Sequence, residues 1–117
     1  MLAGAFSWPI SVVDWGCRPM SDFFETYLTK TDDRMLTKWA HYFDIYTREL
    51  SRFRDRPITF LEIGIFKGGS VPMWQAFFHA DSRLLFVDID QDCAKFANDN
   101  AHVEIGNQAD PAFLAEI

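Results

Sequence analysis

The stretch Ile58-Thr59-Phe60-Leu61-Glu62-Ile63-Gly64-Ile65-Phe66-Lys67-Gly68-Gly69-Ser70 decides the fold. Apart from Glu62, its first six residues are β-branched, aromatic or aliphatic and lack a helical period, and a glycine follows them. That pattern predicts a buried parallel strand over 58–64. Gly68, Gly69 and Ser70 then open a helix running to about His79, with Val71, Met73, Trp74, Phe77 and Phe78 as its apolar side chains. Pro72 is tolerated because it falls in the first turn, where its missing N–H costs no hydrogen bond.

The same alternation continues toward the C-terminus. Leu84-Leu85-Phe86-Val87-Asp88-Ile89 reads as a second buried strand, Asp92 to Asn98 as a crossover helix, and His102 to Ile105 as a third strand. Asp110-Pro111 starts a further helix. Strand, helix, strand, helix, strand with right-handed crossovers gives an α/β fold: a Rossmann-like parallel sheet represented by its first three strands. The expectation is that residues 57–117 form the first half of such a domain and that further strands are missing.

Upstream, residues 1–20 contain Pro9, Gly16 and Pro19 without a clear period and are expected to form an irregular arm. Residues 21–56 read as a helical segment. Ser21 or Asp22 caps a short helix through Leu28, and Thr29 to Asp33 form a polar connector. Met35, Leu36, Trp39, Tyr42, Phe43, Tyr46, Leu50 and Phe53 recur every three to four residues, predicting one long amphipathic helix from Arg34 to Arg54, capped by Asp32 or Asp33. Asp55-Arg56-Pro57 ends it, because proline cannot continue the ladder.

Composition narrows the partners. The net charge of −6 argues against a broad nucleic-acid surface, which needs clustered Lys and Arg to neutralise phosphates. Two cysteines, Cys17 and Cys93, lie far apart and outside any CxxC spacing, so neither a disulfide framework nor a zinc site is indicated and a reduced, cytoplasmic setting is expected. The charge-free run Met1 to Val13 is too short to cross a bilayer. The expected partner is a small molecule.

In an open parallel sheet, ligands bind beyond the carboxyl ends of the strands. Three such ends are present. At Glu62 to Ser70, glycines admit close backbone approach and the helix that follows offers free amides to an anion. At Asp88-Ile89-Asp90, about two dozen residues on, a carboxylate suits the two hydroxyls of a ribose. At Gly106-Asn107-Gln108-Ala109-Asp110, side-chain amides suit the edge of a base. A dinucleotide fingerprint would need glycine where Phe66 stands, and a P-loop would need Gly-Lys-Ser/Thr, whereas Lys67 precedes Gly68 and Gly69.

Glu62-x-Gly64-x-x-x-Gly68-x-Ser70, followed by a strand ending in Asp88-Ile89-Asp90, resembles the class I S-adenosylmethionine-dependent methyltransferases. The longer strings FLEIGIFKGGSVPMW, FVDIDQDC and IGNQADPAFL resemble more narrowly the branch with macrolide-sugar O-methyltransferases and proteins described as cephalosporin hydroxylases. The resemblance implies S-adenosyl-L-methionine as cofactor and O-methylation of a small hydroxylated metabolite or sugar. It implies that Gly64, the Phe66 backbone, Gly68 and Ser70 hold the methionine moiety, that Glu62 supports its amino group, that Asp88 takes the ribose hydroxyls, and that Asn107 and Gln108 lie beside adenine. Relatives usually have an acidic residue at the position of Asn107. In that branch the metal-binding segment and catalytic base come from later strands, so no catalytic or metal-ligating residue is assigned, and a divalent metal is expected only with those strands.

Three plainer readings stand beside these. Asp90 suits the N-cap of the following helix better than a ligand. Lys38, His41, Tyr42 and Tyr46, which face a substrate entrance in one reading, sit on a predicted helix bearing a core stripe. Cys93 fits a small buried apolar position. Two alternative functions remain: a non-catalytic module that binds cofactor or assembles with another chain through its exposed first strand, and a nicotinamide-dependent oxidoreductase, which Phe66 disfavours.

Overall fold

The computed structural model describes residues 10–13, Phe23, Phe24, Tyr27 and residues 36–117. Five strands and three α-helices are defined there: β1 (Ile10–Val13), β2 (Leu36–Trp39), α1 (Ala40–Leu50), β3 (Thr59–Ile63), α2 (Ser70–Phe77), β4 (Arg83–Asp88), β5 (Ala101–Ile105) and α3 (Pro111–Glu116). Short 3-10 turns follow α1 at Ser51–Phe53 and β4 at Gln91–Phe96.

β3, β4 and β5 form a parallel sheet in that order, with Leu61 opposite Leu85 and Leu85 opposite His102. The expected Rossmann-like α/β arrangement is present, its three strands within one or two residues of their sequence bounds. β4 is central, and Leu84, Leu85, Phe86 and Val87 are all buried. A strand covered on both faces reads as a continuous apolar run, which is why it carries no alternation. Edge strand β3 does alternate: Phe60 and Glu62 turn inward, while Leu61 and Ile63 on the other face are 48% and 46% exposed. Both crossovers step the same way across the sheet, so right-handed connections place them over one face; on the other, Leu61 and Ile63 at the edge are exposed while Leu85 and Val87 of β4 stay buried.

The covered face carries an aromatic core. Trp74 of α2 lies 4.8 Å from the rings of both Phe60 on β3 and Tyr46 on α1, so it joins the sheet to the N-terminal segment. Phe24, fully buried, stacks on Phe77 at 5.3 Å and meets Phe43 at 5.0 Å. Arg54 finishes this cluster: its guanidinium lies 4.8 Å from the Phe23 and Phe77 rings and its Nε donates to the Phe77 carbonyl. Such cation–π contacts contribute on the order of 0.5–2 kcal/mol.

Three expectations change. The long helix from Arg34 is shorter: Leu36–Trp39 is a strand paired in parallel with Ile10–Val13, and the helix begins at Ala40. The three-to-four spacing at Leu36 and Trp39 was compatible with helix, but a β-branched partner at Ile10, Val12 and Val13 offers a backbone ladder instead. The arm 1–20 is therefore not irregular throughout. Asp92 to Asn98 is a 3-10 turn over Gln91–Phe96 rather than an α-helix. Its first end matches the reading of Asp90 as a cap, since that carboxylate accepts from Asp92 N at 2.9 Å. Of the short helix 21–28, Phe23, Phe24 and Tyr27 are helical. The proposed caps Ser21, Asp22, Asp32 and Asp33 lie outside the described residues. Among the described residues, no helix is long and apolar enough to cross a membrane.

Candidate ligand site

The carboxyl ends of the three strands converge. A cavity of about 300 Å³ is lined by Gly64, Val87, Asp88, Ile89, Gly106, Asn107 and Gln108. That is the lower end of the range for small-molecule sites. Strand pairing continues into its walls, because Gly64 N donates to Val87 O at 2.7 Å and Gly106 N to Asp88 O at 2.9 Å. Gly64 has φ 86°, and a Cβ there would meet nothing within 4 Å, so the residue is required by its backbone conformation and leaves open space before it. Gly68 is constrained twice: it has φ 78°, and a Cβ would lie 2.6 Å from the Phe96 ring.

Asp88 organises the site. Its Oδ2 accepts from Ile65 N at 2.8 Å and Phe66 N at 3.2 Å, and its Oδ1 accepts from Asp90 N at 3.0 Å. One carboxylate thus ties the β3–α2 loop to the end of β4. Phe66 is held at φ 49°, a left-handed conformation uncommon for a residue with a side chain, and its ring is 61% exposed. The Cys93 thiol donates to the Phe66 carbonyl at 3.3 Å from below. Burial first, then the Asp88 and Asp90 charges, push that thiol above its ordinary range and keep it a donor.

Burial opposes ionisation of Asp88, but the amides of Asp90, Ile65 and Phe66 outweigh it and hold the carboxyl below its ordinary value of 3.8. A depressed carboxyl contributes stability that is whole above the unfolded value and is lost as pH falls through the folded one. The amide proton resonances of Ile65 and Phe66 should therefore titrate together, with a midpoint below pH 3.8. A midpoint above that value, or no common titration, would rule out the carboxylate as their acceptor.

A second polar group gathers at Glu62, two residues before Gly64. Glu62 accepts from Lys38 Nζ at 2.7 Å on Oε1 and from Ser70 Oγ at 2.5 Å on Oε2. Burial, the largest single influence on Lys38, lowers its pKa; Glu62 and Tyr46 together outweigh burial and leave it raised. Of the residues singled out in the sequence, Gly64, Asp88, Asn107 and Gln108 line the cavity. Glu62 and Ser70 join each other and are not among its lining residues, Gly68 packs under Phe96, and Phe66 contributes its amide to Asp88. Sequence reasoning missed Val87, Ile89 and Gly106 as walls, although each adjoins a residue it named. It also missed the Lys38–Glu62 ion pair, whose partners are 24 residues apart. Asn107 Oδ1 accepts from Ala109 N at 2.8 Å, so part of its hydrogen-bonding capacity shapes its own turn. No group of three or more His, Cys, Asp or Glu suited to a metal occurs among the described residues.

A parallel sheet with helices between its strands, whose strand ends carry a glycine loop, an aspartate and a side-chain amide pair, defines a Rossmann-like fold. Over 89 residues the chain is 32% identical to 8-demethyl-8-alpha-L-rhamnosyl tetracenomycin-C 2'-O-methyltransferase of Streptomyces olivaceus, a match covering 68% of this chain. It covers 23% of that methyltransferase. No protein-family model matches the chain, and no solved structure matches it.

Proposed function

We propose that the chain binds S-adenosyl-L-methionine at the three strand ends and forms the cofactor-binding part of a methyltransferase that acts on a hydroxyl of a small metabolite or sugar. The observation that carries this reading is the cavity in which Gly64, Asp88, Asn107 and Gln108 meet. The similarity to an O-methyltransferase supports it. The residues fit the group: Gly64 leaves its side of the cavity open, Asp88 is a carboxylate on the wall, and Asn107 and Gln108 bring amides to the far side.

When bound, the cofactor supplies an electrophilic methyl group. The chain's own residues orient it. Three amides occupy Asp88, which as a carboxylate has about four acceptor positions, so it retains capacity for a ribose hydroxyl. Asn107 and Gln108 provide both donors and acceptors for a base edge. Rate enhancement from such a half-site is positional: fixing the methyl donor relative to an acceptor removes orientational freedom before reaction. None of these residues is assigned as the base that deprotonates the acceptor.

Calorimetric titration with S-adenosylhomocysteine tests the reading without requiring turnover, and NAD is the control because Phe66 stands where a dinucleotide loop needs glycine. Saturable one-to-one binding of the first and none of the second is expected. A folded chain that ignores S-adenosylhomocysteine, or prefers NAD, would sink the proposal.

The exposed edge of β3 favours a second reading, assembly with another chain. Leu61 and Ile63 on strand β3 expose apolar surface next to a ladder that no strand among the described residues pairs, and natural proteins normally cover such an edge. Light scattering after size exclusion should show a concentration-dependent dimer that Leu61→Glu shifts to monomer. A monomer at every concentration would exclude it.

A further inference from the structure

We propose that Cys93 is a positioning residue of the ligand site: from the turn beneath the loop after β3 it holds the Phe66 backbone in its left-handed conformation and so keeps the amides on Asp88 in place. The inference rests on the S-adenosylmethionine reading and assigns a share of the ligand affinity to a residue outside the cavity wall.

Strain comes first. The loop 65–68 turns through two left-handed residues, Phe66 at φ 49° and Gly68 at φ 78°. Glycine adopts that region freely, whereas a residue with a Cβ stays there only when its surroundings hold it. The Phe66 ring is exposed, so burial of the side chain does not hold it. The two peptide groups that flank it do. The Phe66 amide donates to Asp88 Oδ2 at 3.2 Å, and its carbonyl accepts from Cys93 Sγ at 3.3 Å. Both bonds are long, and each restrains the same residue from one side.

The turn supplies the second argument. Cys93 and Phe96 are three residues apart in the 3-10 turn Gln91–Phe96, and side chains at that spacing eclipse in such a turn. Both therefore meet one loop. The Cys93 thiol reaches the Phe66 carbonyl, and the Phe96 ring fills the space at Gly68, where a Cβ would lie 2.6 Å from it. In the α-helix expected from the sequence the two side chains would stand about 60° apart. The thiol is itself fixed, because Cys93 is buried and its amide donates to Asp90 O at 3.0 Å. Asp90 N in turn donates to Asp88 Oδ1. The segment from Asp88 to Cys93 thus grips Phe66 at its amide and at its carbonyl.

The path into the site is the third. Asp88 is the charged residue of the cavity wall, and the loop places Ile65 N and Phe66 N on its Oδ2. Those amides fix the carboxylate before a ligand arrives. An Asp88 that loses them is free to turn, and a ligand must then order it at a cost in affinity.

The test is calorimetric titration of wild type, Cys93→Ala and Cys93→Ser with S-adenosylhomocysteine, with the Phe66 carbonyl-carbon resonance and amide exchange measured in each free protein. Cys93→Ala should weaken binding by roughly 3- to 10-fold, the worth of one ordinary hydrogen bond, and should move the carbonyl resonance and speed amide exchange at Phe66. Cys93→Ser keeps a donor and should bind within about twofold of wild type. A role in packing alone predicts the opposite order, since Ser brings a polar hydroxyl to a buried position and Ala does not. Phe66→Asn provides a second check, because Asn visits the left-handed region more readily than Phe. In that background Cys93→Ala should cost less than about twofold, whereas independent effects would add. If Cys93→Ala does not fold, Cys93→Val fills the space without a strong donor and takes its place. Wild-type affinity in the donor-free variant, a Phe66 carbonyl resonance that it leaves unmoved, or an equal loss in Cys93→Ser would overturn the inference and leave the cofactor reading standing. Failure of wild type to bind S-adenosylhomocysteine overturns both.

Discussion

Replacing Asp88 with Ala should weaken S-adenosylhomocysteine binding by roughly 30- to 1,000-fold, because one side chain supports both a ligand contact and the loop that forms the opposite wall. Hydrogen bonds to a charged group contribute about 1.5–3 kcal/mol each, and each 1.4 kcal/mol is tenfold in affinity. The proposed ribose contact accounts for one such bond. Loss of the acceptor for Ile65 N and Phe66 N supplies the remainder, since Phe66 at φ 49° then has less to hold it in a costly conformation. Asp88→Asn separates the contributions. It retains one oxygen acceptor and should fall between wild type and Ala. Calorimetry gives the affinities, and amide exchange at Ile65 and Phe66 gives the loop. An Ala variant with wild-type affinity would remove Asp88 from the ligand site.

Replacing Trp74 with Ala should cost about 3–5 kcal/mol of stability, the range for deleting a large aromatic side chain from a core. This is a large part of the roughly 5–15 kcal/mol available to a small domain. The ring is 1% exposed and packs among Phe24, Tyr46, Phe60, Phe77 and Phe78, so its removal separates the sheet from the N-terminal segment. Trp74→Phe should cost far less. It keeps an aromatic ring and deletes the indole N–H, a buried donor with no partner among the described residues, whose desolvation penalty is about 1–3 kcal/mol. Urea denaturation measures both variants. Equal losses would mean that the indole N–H is satisfied and that shape alone matters.

The sheet was legible because its signals are local. A β-branched and aromatic run before Gly64, a continuous apolar run before Asp88 and a short run before Gly106 each identify a strand without knowledge of its neighbours. Asp90 was readable as a cap and Asp110-Pro111 as a helix start, and each aspartate accepts from the amide two residues on. The β1–β2 pair was not legible. Its partners are separated by 26 residues in the register Ile10 to Leu36, and nothing in Leu36-Thr37-Lys38-Trp39 alone excludes helix. The candidate site divides in the same way. Residues at strand ends were found from the rule that ligands gather there. Lys38 was read as facing a substrate entrance or as lying on a helix with a core stripe, and its pairing with Glu62 was not foreseen, because the strand that carries it there depends on pairing between distant segments.

The position of Asp88 also sets the order in which the site can be assembled. Its walls come from Gly64, from Val87 to Ile89 and from Gly106 to Gln108, and β4, the middle strand, must join both neighbours. A chain leaving the ribosome presents the glycine loop early, but the last wall emerges more than forty residues later. Ligand stabilises only states in which its contacts exist. Any partly folded form that lacks β5 would therefore receive no help from the proposed cofactor, and loaded protein would gain its protection in a single late step.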